Sequence, residues 1–212
     1  MPCQSIWLTG LCLDYIIYAL LKIREKKMTT WLTSDLHFGH ANIMNFCSQA
    51  RARFHNDVTY MNEKMIEEWN ETIAQDDTVY ILGDVAFLPA DKAVKILQRL
   101  NGRKILIEGN HDRKLLNDPV FRRCFVEIHP YLCINYEKTR VVMFHYPIAE
   151  WDQMHRGAVH FHGHLHGGKS GLEEYRARDM GMDATGMIAV TMERAIADAM
   201  TGKVKGHHTT VM

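Results

Sequence analysis

Short apolar runs of strand length alternate with helically patterned, charged stretches along most of the chain. Residues 30–34 read as a buried strand that ends at Asp35. Met61, Met65, Ile66, Trp69 and Ile73 then recur at helical spacing with charged residues between them, which predicts an amphipathic helix. Asp76 and Asp77 turn the chain into Val79, Tyr80, Ile81 and Leu82, a second strand that stops at Gly83-Asp84. Residues 89–100 predict a helix whose apolar stripe is Ala93, Ile96, Leu97 and Leu100, and Asn101-Gly102 marks a turn before a strand at 104–107. Residues 126–134 carry one or two further strands interrupted at Pro130. Residues 140–144 form a strand ending at His145, and 159–161 run into a histidine cluster. A late strand around Val190 and a terminal helix over 193–200 complete the pattern. Strands alternating with helices indicate an α/β architecture of at least two packed layers.

Composition narrows the class. A chain of 212 residues, 47% hydrophobic, buries one substantial core with little left for a second domain. We therefore read residues 28–201 as one domain and the polar stretch 202–212 as a flexible tail. The 25 basic and 25 acidic residues cancel, so no global charge points to nucleic acid or an anionic membrane. The 5 cysteines form no close CxxC pair and no even framework; reduced thiols are the simpler reading, and a cytoplasmic location is expected. Residues 6–21 are mostly apolar, and a basic cluster follows at 22–27. That run contains Asp14 and falls short of the about 20 apolar residues a span needs. Its basic residues also follow the apolar core, the reverse of a signal peptide. Residues 1–27 then read as an extension upstream of a natural start at Met28, a helix packed on the domain, or a peripheral membrane anchor. The strand pattern that begins directly after Met28 favours the first.

The strand ends carry the chemistry. The apolar runs end at Asp35-Leu36-His37, Gly83-Asp84, Gly109-Asn110-His111-Asp112, His145 and His162-Gly163-His164-Leu165-His166. Carboxylate, amide and imidazole groups arriving together at strand ends are what a two-metal hydrolytic centre needs. Asp35 and His37 are one residue apart, so on an extended backbone both face one side and reach one ion; His164 and His166 repeat the arrangement. Gly83 permits a tight exit before Asp84, whose two oxygens can bridge two cations. Gly163, Gly167 and Gly168 leave backbone room for a phosphate. Any one of these side chains alone reads more simply as a satisfied core residue; their joint occurrence at strand ends does not.

In order and spacing these blocks resemble the calcineurin-like metallophosphoesterases, in particular their small phage and bacterial branch, over residues 28–190. The resemblance implies a four-layer α/β/β/α sandwich with two mixed β-sheets and a metal site at the strand C-terminal ends. It implies that Asp35, His37 and His166 hold one divalent ion, that Asp84 bridges, and that Asn110, His145 and His164 hold a second. Manganese, iron, nickel or zinc are the ions it admits. His111 would stay off the metals and act on the substrate as charge stabiliser or general acid. The activity implied is hydrolysis of a phosphodiester or phosphomonoester of a small nucleotide-like molecule by a metal-activated hydroxide. Val85 stands where protein phosphatases of this family place a second aspartate after Gly-Asp, and Asp112 stands where they place glutamate, which counts against that activity.

His40 and His162 are candidates for substrate or supporting contacts, as is Arg51 for a phosphate. His55, His129, His155 and His160 read as structural or solvent-facing, and Trp31, Phe38, Trp69 and Phe87 as core rather than a base-stacking platform. Rival functions are a nucleotide-lipid pyrophosphohydrolase, which a membrane-contacting segment at 6–21 would suit, and a non-catalytic metal-bound scaffold. A small phosphorylated molecule is the expected partner.

Overall fold

The computed structural model describes residues 28–206, so the readings made for 1–27 and 207–212 lie outside the described residues. Along the chain the elements are β1 (Thr30–Thr33), α1 (Ile43–Phe46), α2 (Ser48–Arg51), α3 (Val58–Thr72), β2 (Thr78–Ile81), α4 (Ala90–Leu97), β3 (Arg103–Ile107), α5 (Pro119–Arg122) and β4 (Glu127–His129). There follow β5 (Leu132–Tyr136), β6 (Thr139–Met143), β7 (Val159–His162), β8 (Ala177–Asp179), α6 (Met182–Thr185), β9 (Val190–Thr191) and α7 (Met192–Ala199). Two mixed sheets result, as expected. The first has the order β4-β3-β2-β1-β9, parallel except for β9; the second has the order β5-β6-β7-β8, with β5 antiparallel to β6 and the rest parallel.

The alternation of side chains along each strand assigns the layers. From the first sheet, Val79, Ile81 and Leu106 face helices α3, α4 and α5, where they meet Met61, Trp69, Leu97 and Phe121. Leu32, Ile105 and Ile107 face the other way, onto Val141, Met143, Val159 and Phe161 of the second sheet. Helix α7 closes this middle layer with Met192, Ala195 and Ala199. On the far side of the second sheet, Val142 and Ala177 pack under Trp151, Met154 and Leu172, so that layer is a turn and loops around a tryptophan.

Helix α3 begins where Asp57 accepts hydrogen bonds from the Thr59 and Tyr60 amides and ends where Ile73 turns extended. Its buried Trp69 donates from the indole nitrogen to the Asn101 carbonyl, which fixes the helix to the turn before β3. The helix expected over 89–100 stops at Leu97. Residues past its end satisfy their carbonyls differently: the buried Lys104 ammonium donates to Leu100 and Gly102. Strand β8 was not legible in the sequence, because three residues with two charges carry no apolar alternation. The tail reading also needs correction at its start. Lys203 bridges to Tyr175, and its amide donates to the Glu174 carbonyl, so residue 203 is pinned to the domain.

Register decides where the strands deliver their ends. Thr33 lies opposite Ile81 and Ile81 opposite Leu106, so the residues after β1, β2 and β3 emerge at one edge. Met143 lies opposite Phe161 in the second sheet, which brings out the residues after β6 and β7 together.

One buried group sets an acid limit on this fold. His160, on β7, has Nδ1 donating to the Val142 carbonyl at 3.3 Å and Nε2 accepting from the Ile148 amide at 3.4 Å. Burial, with His162 beside it, lowers its pKa to about 3. The unfolded chain then binds the proton first, so the neutral ring's contribution is fully present above pH 6.5 and is lost as pH falls towards 3. Thermal or urea denaturation between pH 7 and 4 should show a loss on the order of a few kcal/mol from this group, and His160→Gln should flatten that slope.

Candidate metal centre

The site is built from turns that leave the strands in left-handed backbone conformations. Asp35, His37, Asp84, His164 and His166 all have φ between 51° and 72°. This corrects the extended alternation by which Asp35 and His37, and His164 and His166, were expected to share a side: the convergence comes from αL turns. Such residues are uncommon outside glycine and persist where surrounding contacts over-determine them. Here the loops hydrogen-bond across the sheet beyond the strands themselves. The Asp35 amide donates to Gly83, the His37 amide to Asp84 and the Phe38 amide to Val85, each at 3.0 Å.

Two glycines make the approach possible. At Gly83 (φ 100°) a Cβ would stand 2.6 Å from Gly109 Cα and 2.6 Å from His145 Nδ1. At Gly163 it would stand 2.0 Å from Ser34 Oγ and 2.3 Å from Asp35 Oδ2. Gly163 therefore makes room for Asp35, not for a phosphate.

The carboxylates and imidazoles fall into two groups that share Asp35: Asp35 with His37 and His166, and Asp35 with Asp84 and His145. Asp35 Oδ1 lies 3.8 Å from both His37 Nε2 and His166 Nε2. Asp84 Oδ2 lies 3.7 Å from His37 Nε2 and 3.6 Å from His145 Nε2, between the two groups. Two ligands bound to one ion at about 2.0–2.2 Å with tetrahedral angles stand roughly 3.4 Å apart, within a few tenths of these separations. Asn110 and His164 join on the His145 side, with Asn110 Oδ1 at 2.9 Å from His145 Nε2 and 3.1 Å from His164 Nδ1.

The hydrogen bonds left unmade in the centre mark where cations fit. Among the described residues, Asp35 Oδ1 and His37 Nε2 are fully buried and have no hydrogen-bond partner. A buried orphan acceptor is costly unless something else satisfies it. His145 must carry its proton on Nδ1, because that atom contacts the Leu82 carbonyl at 2.7 Å. Its Nε2 lone pair then faces the Asn110 oxygen, acceptor against acceptor. A cation at this point would satisfy the His145 lone pair and the amide oxygen together. His166 donates from Nδ1 to Asp183 at 2.7 Å, and His37 Nδ1 pairs with His40 Nδ1 at 3.2 Å. In each case Nδ1 is tied back and Nε2 faces the carboxylates, the arrangement that orients histidine as a ligand. The residues fit divalent ions.

The charges agree. Burial lowers the pKa of His37 and, with His145 beside it, that of His164. Burial alone would raise the Asp35 carboxyl, but the neighbouring His37, His145 and His166 hold it below its ordinary value. Burial works against His166 protonation, yet its bond to Asp183 and the charge of Asp35 raise it. His40, desolvated beside His37 and His111, is lowered to about 4 and stays neutral.

The other candidates fall in three places. His111 stands at the mouth, its side chain 43% exposed, with its amide donating to Asp84 Oδ1 at 2.9 Å and its Nε2 3.9 Å from Asp84 Oδ2. Arg51 is buried, 1% exposed, and faces inward rather than toward a phosphate. Its guanidinium grips both Asp183 oxygens and donates to the Asp35 and Leu36 carbonyls. His162 donates to the Gly163 carbonyl and to none of the candidate ligands.

Sequence reasoning passed over three residues. Asp112, fully buried, accepts from the amides of Asp84, Val85 and Gly109 and so clamps the turn after β2 to the turn after β3. It sits inside the Gly-Asn-His-Asp block, so its position was the available signal. Asp183 supports His166 from α6, with nothing in the local sequence to mark it. Phe87 is not core: it is 37% exposed and stacks on His40, with ring centroids 3.9 Å apart and planes 9° from parallel.

Known proteins place the chain. It is 33% identical over 147 residues to the uncharacterized protein MJ1445 of Methanocaldococcus jannaschii, an alignment covering 68% of this chain and 72% of that protein. The chain belongs to the same family as that protein. It is also 29% identical to the gene 66 protein of Mycobacterium phage D29, over 73% of this chain and 87% of the phage protein. The crystal structure of a protein of unknown function, AQ665 from Aquifex aeolicus, shares the fold with a TM-score of 0.65 at 24% identity, covering 81% of this chain and 98% of that one. No family model matches the chain. Among the described residues no helix is long and apolar enough to cross a membrane.

Asp183→Asn should weaken divalent-metal binding about 10–100-fold, because His166 loses its charged anchor. Calorimetric titration of the variant with Mn²⁺ measures this directly; an unchanged affinity would remove Asp183 from the assembly.

Proposed function

We propose that the protein is a metal-dependent phosphoester hydrolase using two divalent cations. The observation that carries this reading is the pair of buried, unpartnered polar atoms Asp35 Oδ1 and His37 Nε2 beside an Asp84 oxygen placed between two ligand groups. Asp35, His37 and His166 would hold one ion, Asn110, His145 and His164 the other, and Asp84 would face both. The Cys47 thiol also approaches His166 and Asp183, but Asp183 is committed to Arg51 and His166, and burial raises Cys47 to about 11. We therefore keep Cys47 out of the ligand set. When bound, the ions would supply positive charge to the phosphate oxygens and acidify a bound water.

The chain's own residues supply the rest. His111 is held by its backbone bond to Asp84, so its ring is aimed at the open mouth while its main chain belongs to the centre. From there it can donate a hydrogen bond to an equatorial phosphate oxygen or protonate the departing alkoxide. His40 braces His37 and does not donate as a cation, since it stays neutral. Arg51 neutralises Asp183 inside the protein and fixes the Asp35 main chain. A small phosphorylated molecule is the substrate this open, histidine-lined mouth suits.

Manganese-loaded protein should hydrolyse bis-p-nitrophenyl phosphate. Asp84→Asn and His145→Ala should each lower both metal content and turnover. His111→Ala should cost about 10²–10⁴-fold in turnover with metal content near that of the parent protein. Plasma emission analysis alongside the assay separates the two classes, and metal loss in the His111 variant would contradict its placement.

A further inference from the structure

Among the clefts that the described residues form beside the metal centre, two of unlike chemistry meet at Phe87 and His111. One, of about 430 Å³, has Arg113 and Lys114 in its wall. The other, of about 470 Å³, carries no lysine or arginine and is lined by Ile43, Phe46, His40 and Phe87, with metal-facing His37 and His166 at its base. Each is in the size range that seats part of a small ligand.

The second cleft holds an unusual concentration of exposed ring surface. Phe46 is 74% exposed and Phe87 37% exposed. Phe87 cannot move freely, because it is stacked on His40 and also packs against His37 and His111 at centroid distances of 5.2 Å and 4.3 Å. Phe46 stands edge-on to His40 at 6.1 Å. The rings of Phe46, Phe87 and His40 form a continuous aromatic wall that runs up to the ligand histidines. Water-exposed phenylalanines beside a charged centre are explained by a flat, weakly polar group that covers them when substrate binds.

A phosphodiester offers two arms, and the two clefts differ in the groups they present: Arg113 and Lys114 in one, the Phe46 ring in the other, with Phe87 between them. We propose that this aromatic cleft is a nucleobase subsite, that the substrate is a nucleoside phosphodiester, and that Phe46 and Phe87 determine this specificity by stacking. The proposal rests on the hydrolase reading above and adds the substrate class.

The test compares dithymidine phosphate with its doubly abasic analogue, which keeps the same sugar–phosphate–sugar linkage and leaving group. Bis-p-nitrophenyl phosphate serves as a control for chemistry. In the full-length manganese-loaded protein, kcat/KM should favour the base-bearing diester by about fivefold to a hundredfold, the range of one base stacked on an aromatic side chain. Phe46→Ala, a change at a mostly exposed position, should collapse that ratio towards one, chiefly through KM. Saturation-transfer NMR should show thymidine contacting the parent protein and losing that contact in Phe46→Ala. Equal kcat/KM for the two diesters, an unchanged ratio in the variant, or turnover of the control with neither dinucleotide cleaved would overturn the subsite while leaving the hydrolase reading intact. If the control also stays uncleaved, the hydrolase reading itself fails.

Discussion

The carboxylate of Asp112 holds the centre together. It takes no place in either ligand group, yet it accepts three backbone hydrogen bonds from residues on two different turns. Those donors are the amides of Asp84, Val85 and Gly109, in turns that leave adjacent parallel strands and cannot pair with each other as strands do. Without an acceptor between them the turns would each leave buried N–H groups unsatisfied, at about 1–3 kcal/mol apiece. With it, Asp84 and Asn110 are delivered to one place. Burial pushes the Asp112 carboxyl up, and the three N–H donors oppose that push, so the clamp works because the backbone dipoles point at it.

Around that clamp the protein concentrates charge that its overall composition conceals. Asp35, Asp84 and Asp112 are buried within one small region, and Asp183 joins them through His166. Buried like charges are tolerated only when paired or when metals intervene. Arg51 answers for Asp183 with a two-pronged contact. Burial keeps His37 and His164 from protonating, so those two rings do not answer for Asp35 and Asp84 as cations, and His166, which is raised, is shared with Asp183. The remaining negative charge and the orphan polar atoms point to the same remedy, which is the chemical basis for the ions.

Much of the architecture could be read from the chain. The apolar stripe Met61-Met65-Trp69 gave α3 because it is long and periodic, and the ends of β1, β2, β3, β6 and β7 fell within a residue or two of where turn residues placed them. The αL turns could not be read, because Asp35, His37 and His166 adopt positive φ only under the cross-loop hydrogen bonds that the sheet imposes. Arg51 was legible as a charged residue near the site but not as a buried one, since its partner Asp183 lies 132 residues away. Phe87 was misread as core for a similar reason: hydrophobicity says a ring tends inward, and only the shape of the clefts shows it left outside.

By itself the sequence determined the order of strands and helices and the donor atoms waiting at the strand ends, because periodicity and residue chemistry are local properties. The tertiary structure alone decided which of those donors meet. Parallel register aligns the strand ends, glycines remove the atoms that would hold the loops apart, and groups distant along the chain fix imidazole tautomers, the Leu82 carbonyl for His145 and the Asp183 carboxylate for His166. Those are contacts between segments distant in sequence, and no local pattern encodes them.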